Sequence, residues 1–123
     1  MAALTPANLG RKAEDVVCRH LEMLGWEVLG RNVRTPAGEL DIVAREGQTI
    51  VFVEVKARRS GSMGGAEEAV DGRKRRRLVA AAEAFLAANP LQGECRFDVA
   101  AVEVGSGDIM KVRLVRDAFR GWE

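Results

Sequence analysis

Gly38-Glu39-Leu40-Asp41-Ile42-Val43 and Val51-Phe52-Val53-Glu54-Val55-Lys56 decide the reading of this 123-residue chain. Both stretches are dominated by β-branched and other large apolar residues, and the turn-like Arg45-Glu46-Gly47-Gln48 lies between them, so together they read as a hairpin. Side chains alternate faces along a strand, which groups Glu39 with Asp41 and Glu54 with Lys56. Three carboxylates and a lysine in otherwise apolar strands are costly to bury without partners. A divalent metal makes such charges tolerable.

Working outward, the first segment, from about Ala7 to Leu24, predicts a helix. Ala13, Val16, Val17, Leu21 and Leu24 recur at helical spacing, and Gly25 is placed to stop it. Trp26 to about Arg34 reads as a strand interrupted by Gly30, and Thr35-Pro36-Ala37-Gly38 as a turn. The hairpin strands run about Glu39–Arg45 and Thr49–Ala57, the second apolar on both faces except at Glu54 and Lys56, as in the middle of a sheet. Ser60 to Gly65 is glycine-rich and reads as a mobile loop. A second helix is expected from Asp71, as N-cap, to Ala88, with Leu78, Ala81, Ala82 and Phe85 as its apolar stripe. Two further strands are expected over Arg96–Val104 and Ile109–Val115, the last alternating like an edge strand. The order αβββαββ implies an α/β fold, a mixed central β-sheet flanked by helices. The length suits one domain over residues 1–123.

Composition excludes several classes. There is no run of eighteen apolar residues, so no membrane partner is expected, and the N-terminus lacks the pattern of a signal peptide. Cys18 and Cys95 stand alone and read as reduced, half-buried hydrophobes, which suits a cytoplasmic protein. A single histidine, His20, argues against zinc and against histidine catalysis. The net charge of +1 does not by itself indicate a nucleic-acid partner, but its distribution does. Arg73-Lys74-Arg75-Arg76-Arg77 is an unbroken basic run, and Lys56, Arg58 and Arg59 form a second group.

Mg2+ takes oxygen ligands, usually one or two carboxylates with waters and substrate phosphates. Asp41 and Glu54 on neighbouring strands can supply the carboxylates, and the backbone carbonyl of Val55 a further oxygen. Lys56 lies roughly 7 Å beyond Glu54 on the same face, close enough to orient a water or to neutralise charge on a phosphate. Glu-x-Lys alone occurs by chance in about a third of chains this long, and the spacing leaves open a cross-strand salt bridge of Asp41 or Glu54 with Lys56. Glu14 flanks the apolar stripe of the first helix and is either a further ligand or a solvated glutamate. Glu39 either supports the site or pairs with Arg34. Lys74 extends the stripe of the second helix toward the same cleft, and Arg58, Arg73, Arg75 and Arg77 are each either a phosphate-binding group beside it or part of a solvated basic face. The loop Gly61–Gly65 lacks a Walker pattern. Phe97 and Val99 read as core, and Asp98 as structural.

The ordered set Gly38-Glu39-Leu40-Asp41-Ile42-Val43, Val51 to Arg58, Lys74 with Arg77-Leu78, and Arg96-Phe97-Asp98-Val99 resembles the YraN family of uncharacterised bacterial proteins. That family is similar to PD-(D/E)xK nucleases close to archaeal Holliday-junction resolvases. The resemblance runs from Gly10 to Phe119. It implies a restriction-endonuclease-like core in a single endonuclease-like domain, and hydrolysis of DNA phosphodiester bonds with Mg2+ or Mn2+. Carried over by position, Asp41 and Glu54 would bind metal, Lys56 would be the catalytic lysine, and Glu14 would match an acidic residue on the first helix. Leu40 stands where the motif often has proline. Superfamily members have also lost activity while keeping the fold, which leaves a catalytically inactive nucleic-acid-binding module as the alternative. Resolvases of this kind work as symmetric dimers, and Met63, Phe119 and Trp122 are the apolar groups expected to be exposed for a homodimer.

Overall fold

A computed structural model describes residues 5–60 and 70–120. The elements are α1 (Pro6–Met23), β1 (Glu27–Thr35), β2 (Gly38–Glu46), β3 (Thr49–Arg59), α2 (Gly72–Ala88), β4 (Cys95–Val104) and β5 (Met110–Phe119), with a short 3-10 turn at Ser106–Asp108. The expected order αβββαββ is the observed one. The five strands form one sheet in the order β1-β2-β3-β4-β5. β3 and β4 are parallel, with α2 between them in sequence, and every other neighbouring pair is antiparallel.

Each face of the sheet carries a helix. Ala13, Val17 and Leu21 of α1 pack with Ile42, Ala44, Val51 and Val53 on one face. Leu78, Ala81 and Ala82 of α2 pack with Val43, Ile50 and Phe52 on the other. β3 therefore contributes alternate residues to two apolar layers, which is why its sequence is apolar on both faces. Thr5 caps α1 by accepting the Asn8 amide at 3.2 Å, and Asp71 caps α2 by accepting the Lys74 amide at 3.0 Å. Gly25 ends α1 with φ +87°, in the left-handed region that favours glycine.

The edges depart from expectation in two places. β1 begins at Glu27, because Trp26 leaves the sheet and is buried beneath Arg96 and Arg116, whose guanidinium carbons lie 5.4 and 5.6 Å from its ring centre. β5 runs on to Phe119, past the polar Arg116-Asp117, through a register irregularity opposite Asp98. Phe119 is consequently not an exposed apolar group: it is 6% exposed and stacks on Phe97 at 4.7 Å. Met63, Trp122 and the loop Gly61–Gly65 lie outside the described residues. Cys18 is buried and Cys95 half-buried, both free thiols. No helix among the described residues is long and apolar enough to cross a membrane.

Asp98 is structural. It is fully buried on the α1 side of β4, where Arg96 donates to both carboxylate oxygens at 2.8 and 3.0 Å and the Asp117 amide adds a bond at 2.9 Å. Arg96 and Arg116 also share Glu46 at 2.7–2.8 Å. Their hydrogen bonds outweigh its partial burial and hold the Glu46 carboxyl below the usual range. Removing one partner of a buried ion pair strands the other charge. Asp98→Ala is therefore expected to lower unfolding stability in urea by about 3 kcal/mol, and an unchanged midpoint would show that the network carries no stability.

Candidate functional site

The hairpin opens where its charges stand. The β2–β3 ladder runs from Glu46↔Thr49 only as far as Ile42↔Val53, whereas β3 stays paired with β4 through Arg59↔Val104. Beyond Ile42, β2 follows β1, in the pairs Leu40↔Val33 and Glu39↔Arg34. The two strands separate at Asp41 and Glu54. In the gap, Asp41 Oδ2 accepts the backbone N–H of Val55 at 2.9 Å, so a side chain replaces the missing strand partner. A residue in a β-strand directs its N–H and C=O to the same side. The Val55 carbonyl therefore faces the same opening.

This geometry sets the electrostatics. The Asp41 carboxyl is pushed up to about 7, first by burial and then by the charge of Glu54, with the Val55 amide opposing the shift. Glu54 is 7% exposed. Its Oε1 lies 2.9 Å from Lys74 Nζ and 3.5 Å from Lys56 Nζ. Burial, then the neighbouring Lys74, lowers the pKa of Lys56 against the pull of Glu54. Burial also works against the charge of Lys74, but its contacts with Glu54 and Lys56 outweigh it and the pKa rises.

A cleft of about 280 Å3 opens over the pair, lined by Gly38, Glu39, Asp41, Glu54, Lys74, Arg77 and Leu78. Lys74, Arg77 and Leu78 share it because residues three and four apart lie on one side of a helix. Glu39 lines the mouth while its Oε1 meets Arg34 Nε at 3.2 Å, an exposed ion pair. Arg58 shares the β3 face of Glu54 and Lys56 and is half-buried. Arg73 is exposed. Arg75 turns away from the cleft: its Nε donates to the Val70 carbonyl at 3.0 Å and its guanidinium lies 5.4 Å from the Phe119 ring centre. Glu14 sits on α1, on the other face of the sheet. It does not line the cleft, and its charge is the smallest of the influences raising the Asp41 carboxyl.

Among the described residues, no three His, Cys, Asp or Glu side chains gather as a metal cluster. The acidic donors are thus a pair, Asp41 and Glu54, with the Val55 carbonyl beside them. Hard oxygen atoms of this kind, with room for water in an adjoining cleft, are a donor set that suits Mg2+ or Mn2+. The residue pattern gives Lys74 a place in the cleft but not its contact with Glu54. The helical spacing of Lys74 to Leu78 is the one signal in the chain, and it fixes a direction without a partner.

The model of an uncharacterised protein family, UPF0102, matches residues 13–102. A UPF0102 protein of Magnetococcus marinus is 44% identical over 125 residues, covering 99% of this chain and all of that one. One from Pseudomonas aeruginosa is 47% identical over 100 residues, 80% of each chain. Among solved structures, Pyrococcus furiosus SfsA in complex with Ca2+ is matched at a TM-score of 0.43 and 14% identity. That match covers 88% of this chain, which spans 62% of the SfsA chain.

The raised Asp41 carboxyl has a measurable consequence for stability. Between the ordinary 3.8 and about 7, the folded chain keeps a proton that the unfolded chain has released. The shift therefore favours folding at low pH, and its contribution is lost as pH rises through about 7. Asp41→Asn cannot ionise, so it is expected to raise the melting midpoint at pH 8 by on the order of 5 °C and to leave it nearly unchanged at acid pH. Melting followed by circular dichroism at both pH values checks this. A midpoint at pH 8 that stays put or falls would mean that the two lysines fully compensate the ionised carboxyl.

Proposed function

We propose a function for this chain, which belongs to the uncharacterised protein family UPF0102, the YraN family: it is a Mg2+- or Mn2+-dependent endonuclease that hydrolyses DNA phosphodiester bonds. One observation carries the reading. Two carboxyls from diverging strands line one open cleft, one held by a backbone amide and the other 3.5 Å from a lysine. A buried and a half-buried carboxyl that face a cleft, one with a strongly perturbed pKa, fit the pattern of a functional site.

In this reading Asp41, Glu54 and the Val55 carbonyl hold the cation. The cation, when bound, supplies polarisation of a phosphoryl oxygen and a more acidic water. The Val55 amide fixes the Asp41 carboxylate through Oδ2, so the group is oriented before a cation arrives. Lys56, its pKa lowered by burial and by Lys74, orients the attacking water at Nζ and takes part in removing its proton. Arg77 and Lys74 at the cleft, with Arg58 and Arg73 nearby, grip the phosphate backbone. The first turn of α2 itself holds no acidic residue, and the cap Asp71 lies just before it. The preference for branched DNA and a homodimer acting on it follow from the resemblance to junction resolvases, and a cytoplasmic setting from the free thiols Cys18 and Cys95.

A second reading, a nucleic-acid-binding module without catalysis, is favoured by the two lysine partners that Glu54 already has. Cleavage separates the two. Linear, single-stranded and four-way-junction DNA are offered to the protein with Mn2+, beside Glu54→Ala and Lys56→Ala. Each substitution is expected to lower the cutting rate by on the order of 100-fold or more. Equal cutting by wild type and both variants would remove this site from consideration, and no cutting with salt-sensitive binding would establish the binding module. Neutralising Arg73 and Arg77 together is expected to flatten the salt dependence of DNA affinity, the logarithmic slope falling by about one for each phosphate no longer neutralised.

A further inference from the structure

Glu54 Oε1 receives two ammonium groups at once, and the shorter contact does not come from its own strand. Lys56 is two residues away on β3 at 3.5 Å, whereas Lys74 reaches in from the first turn of α2 to 2.9 Å. The Glu54 side chain is 8% exposed, so the charges meet where water screens them weakly. A cation at a helix N-terminus is disfavoured by the helix dipole. The carboxylates are what compensate Lys74 for that position. Lys74 is also the more exposed of the two lysines and, with Arg77, lines the cleft. Its ammonium thus has two places to go: onto Glu54, or outward beside Arg77.

We propose that Lys74 is a positioning residue, the resident counterion of Glu54, which leaves the carboxylate for the cleft when a divalent cation binds and there grips a phosphodiester. The inference rests on the reading of Asp41 and Glu54 as the metal-binding pair. Without a cation, two ammonium groups stand against the two carboxyls. A bound divalent cation adds positive charge there, which a phosphate group on the cleft side neutralises. Cation binding and polyanion binding therefore reinforce each other through Lys74. Lys56, on the central strand, does not line the cleft.

Calorimetric titration of Mn2+ into the full chain tests this, with Lys74→Met and Lys56→Met compared to wild type. Lys74→Met removes the competing charge and keeps the length of the side chain. It is expected to bind Mn2+ about tenfold more tightly, and Lys56→Met to change less. A purely structural role predicts the opposite sign, since a loosened Glu54 binds more weakly. The second readout is binding of a short phosphorothioate duplex with and without Mn2+. Wild type is expected to bind it several-fold more tightly with Mn2+, and Lys74→Met to lose most of that gain. Melting curves confirm that the variants are folded, and Lys74→Gln, expected to behave alike, serves if Lys74→Met is not. Wild-type Mn2+ binding that Lys74→Met matches or weakens overturns the role of Lys74 and leaves the metal pair standing. Absence of Mn2+ binding in wild type and variants alike overturns the metal reading, and this inference with it.

Discussion

The hydrogen bond from the Val55 amide to Asp41 Oδ2 is the contact on which the rest of the site depends. A central strand cannot give up a neighbour without leaving backbone donors unpaired. β3 loses β2 beyond Val53, and at Val55 the Asp41 side chain takes over the vacated amide. That substitution lets β2 turn away with β1 while β3 remains paired with β4. The gap it opens is the floor of the cleft. The same bond restrains an acid whose burial and proximity to Glu54 would otherwise set it entirely against ionisation. Geometry and charge thus share one origin.

The molecule holds a second acidic centre that shows what a purely structural one looks like. Asp98 is as buried as any residue in the chain, and each of its oxygens is filled by Arg96, with the Asp117 amide completing the set. Glu46 and Trp26 close that network from outside through Arg96 and Arg116. The guanidinium of Arg96 meets the carboxylate in a planar, two-point clamp. The Asp41–Glu54 pair is held differently. Its partners are lysines, whose point charges can move, and it faces open space. Guanidinium clamps hold the carboxylate on the α1 side, and single-point ammonium contacts hold the one on the α2 side.

Much of this was legible in the residues. The alternation in Val51 to Lys56 gave both the central position of β3 and the common face of Glu54 and Lys56, because a strand has only two faces. Asp71 as cap and the Leu78–Ala82 stripe were legible because capping and helical spacing are local. The departures occur where local preference met a distant partner. Trp26 reads as a strand residue but is drawn out of the sheet by Arg96 and Arg116, which come much later in the chain. β5 reads as ending before Arg116-Asp117. It continues because Asp98, on the neighbouring strand, takes the Asp117 amide and Phe119 has Phe97 to stack on.

The order of the elements, the residues that are apolar on each face, and the charged side chains that are anomalous among them were all written in the chain. They follow from periodicity, a property of neighbours along the backbone. Folding in three dimensions added that β2 and β3 part at Asp41, that Lys74 rather than Lys56 makes the shorter contact with Glu54, and that Glu14, on the helix of the other face, does not line the cleft. Those outcomes depend on how two helices and a twisted sheet compete for the same volume, and no pattern along the chain encodes a distance between elements that meet only after folding.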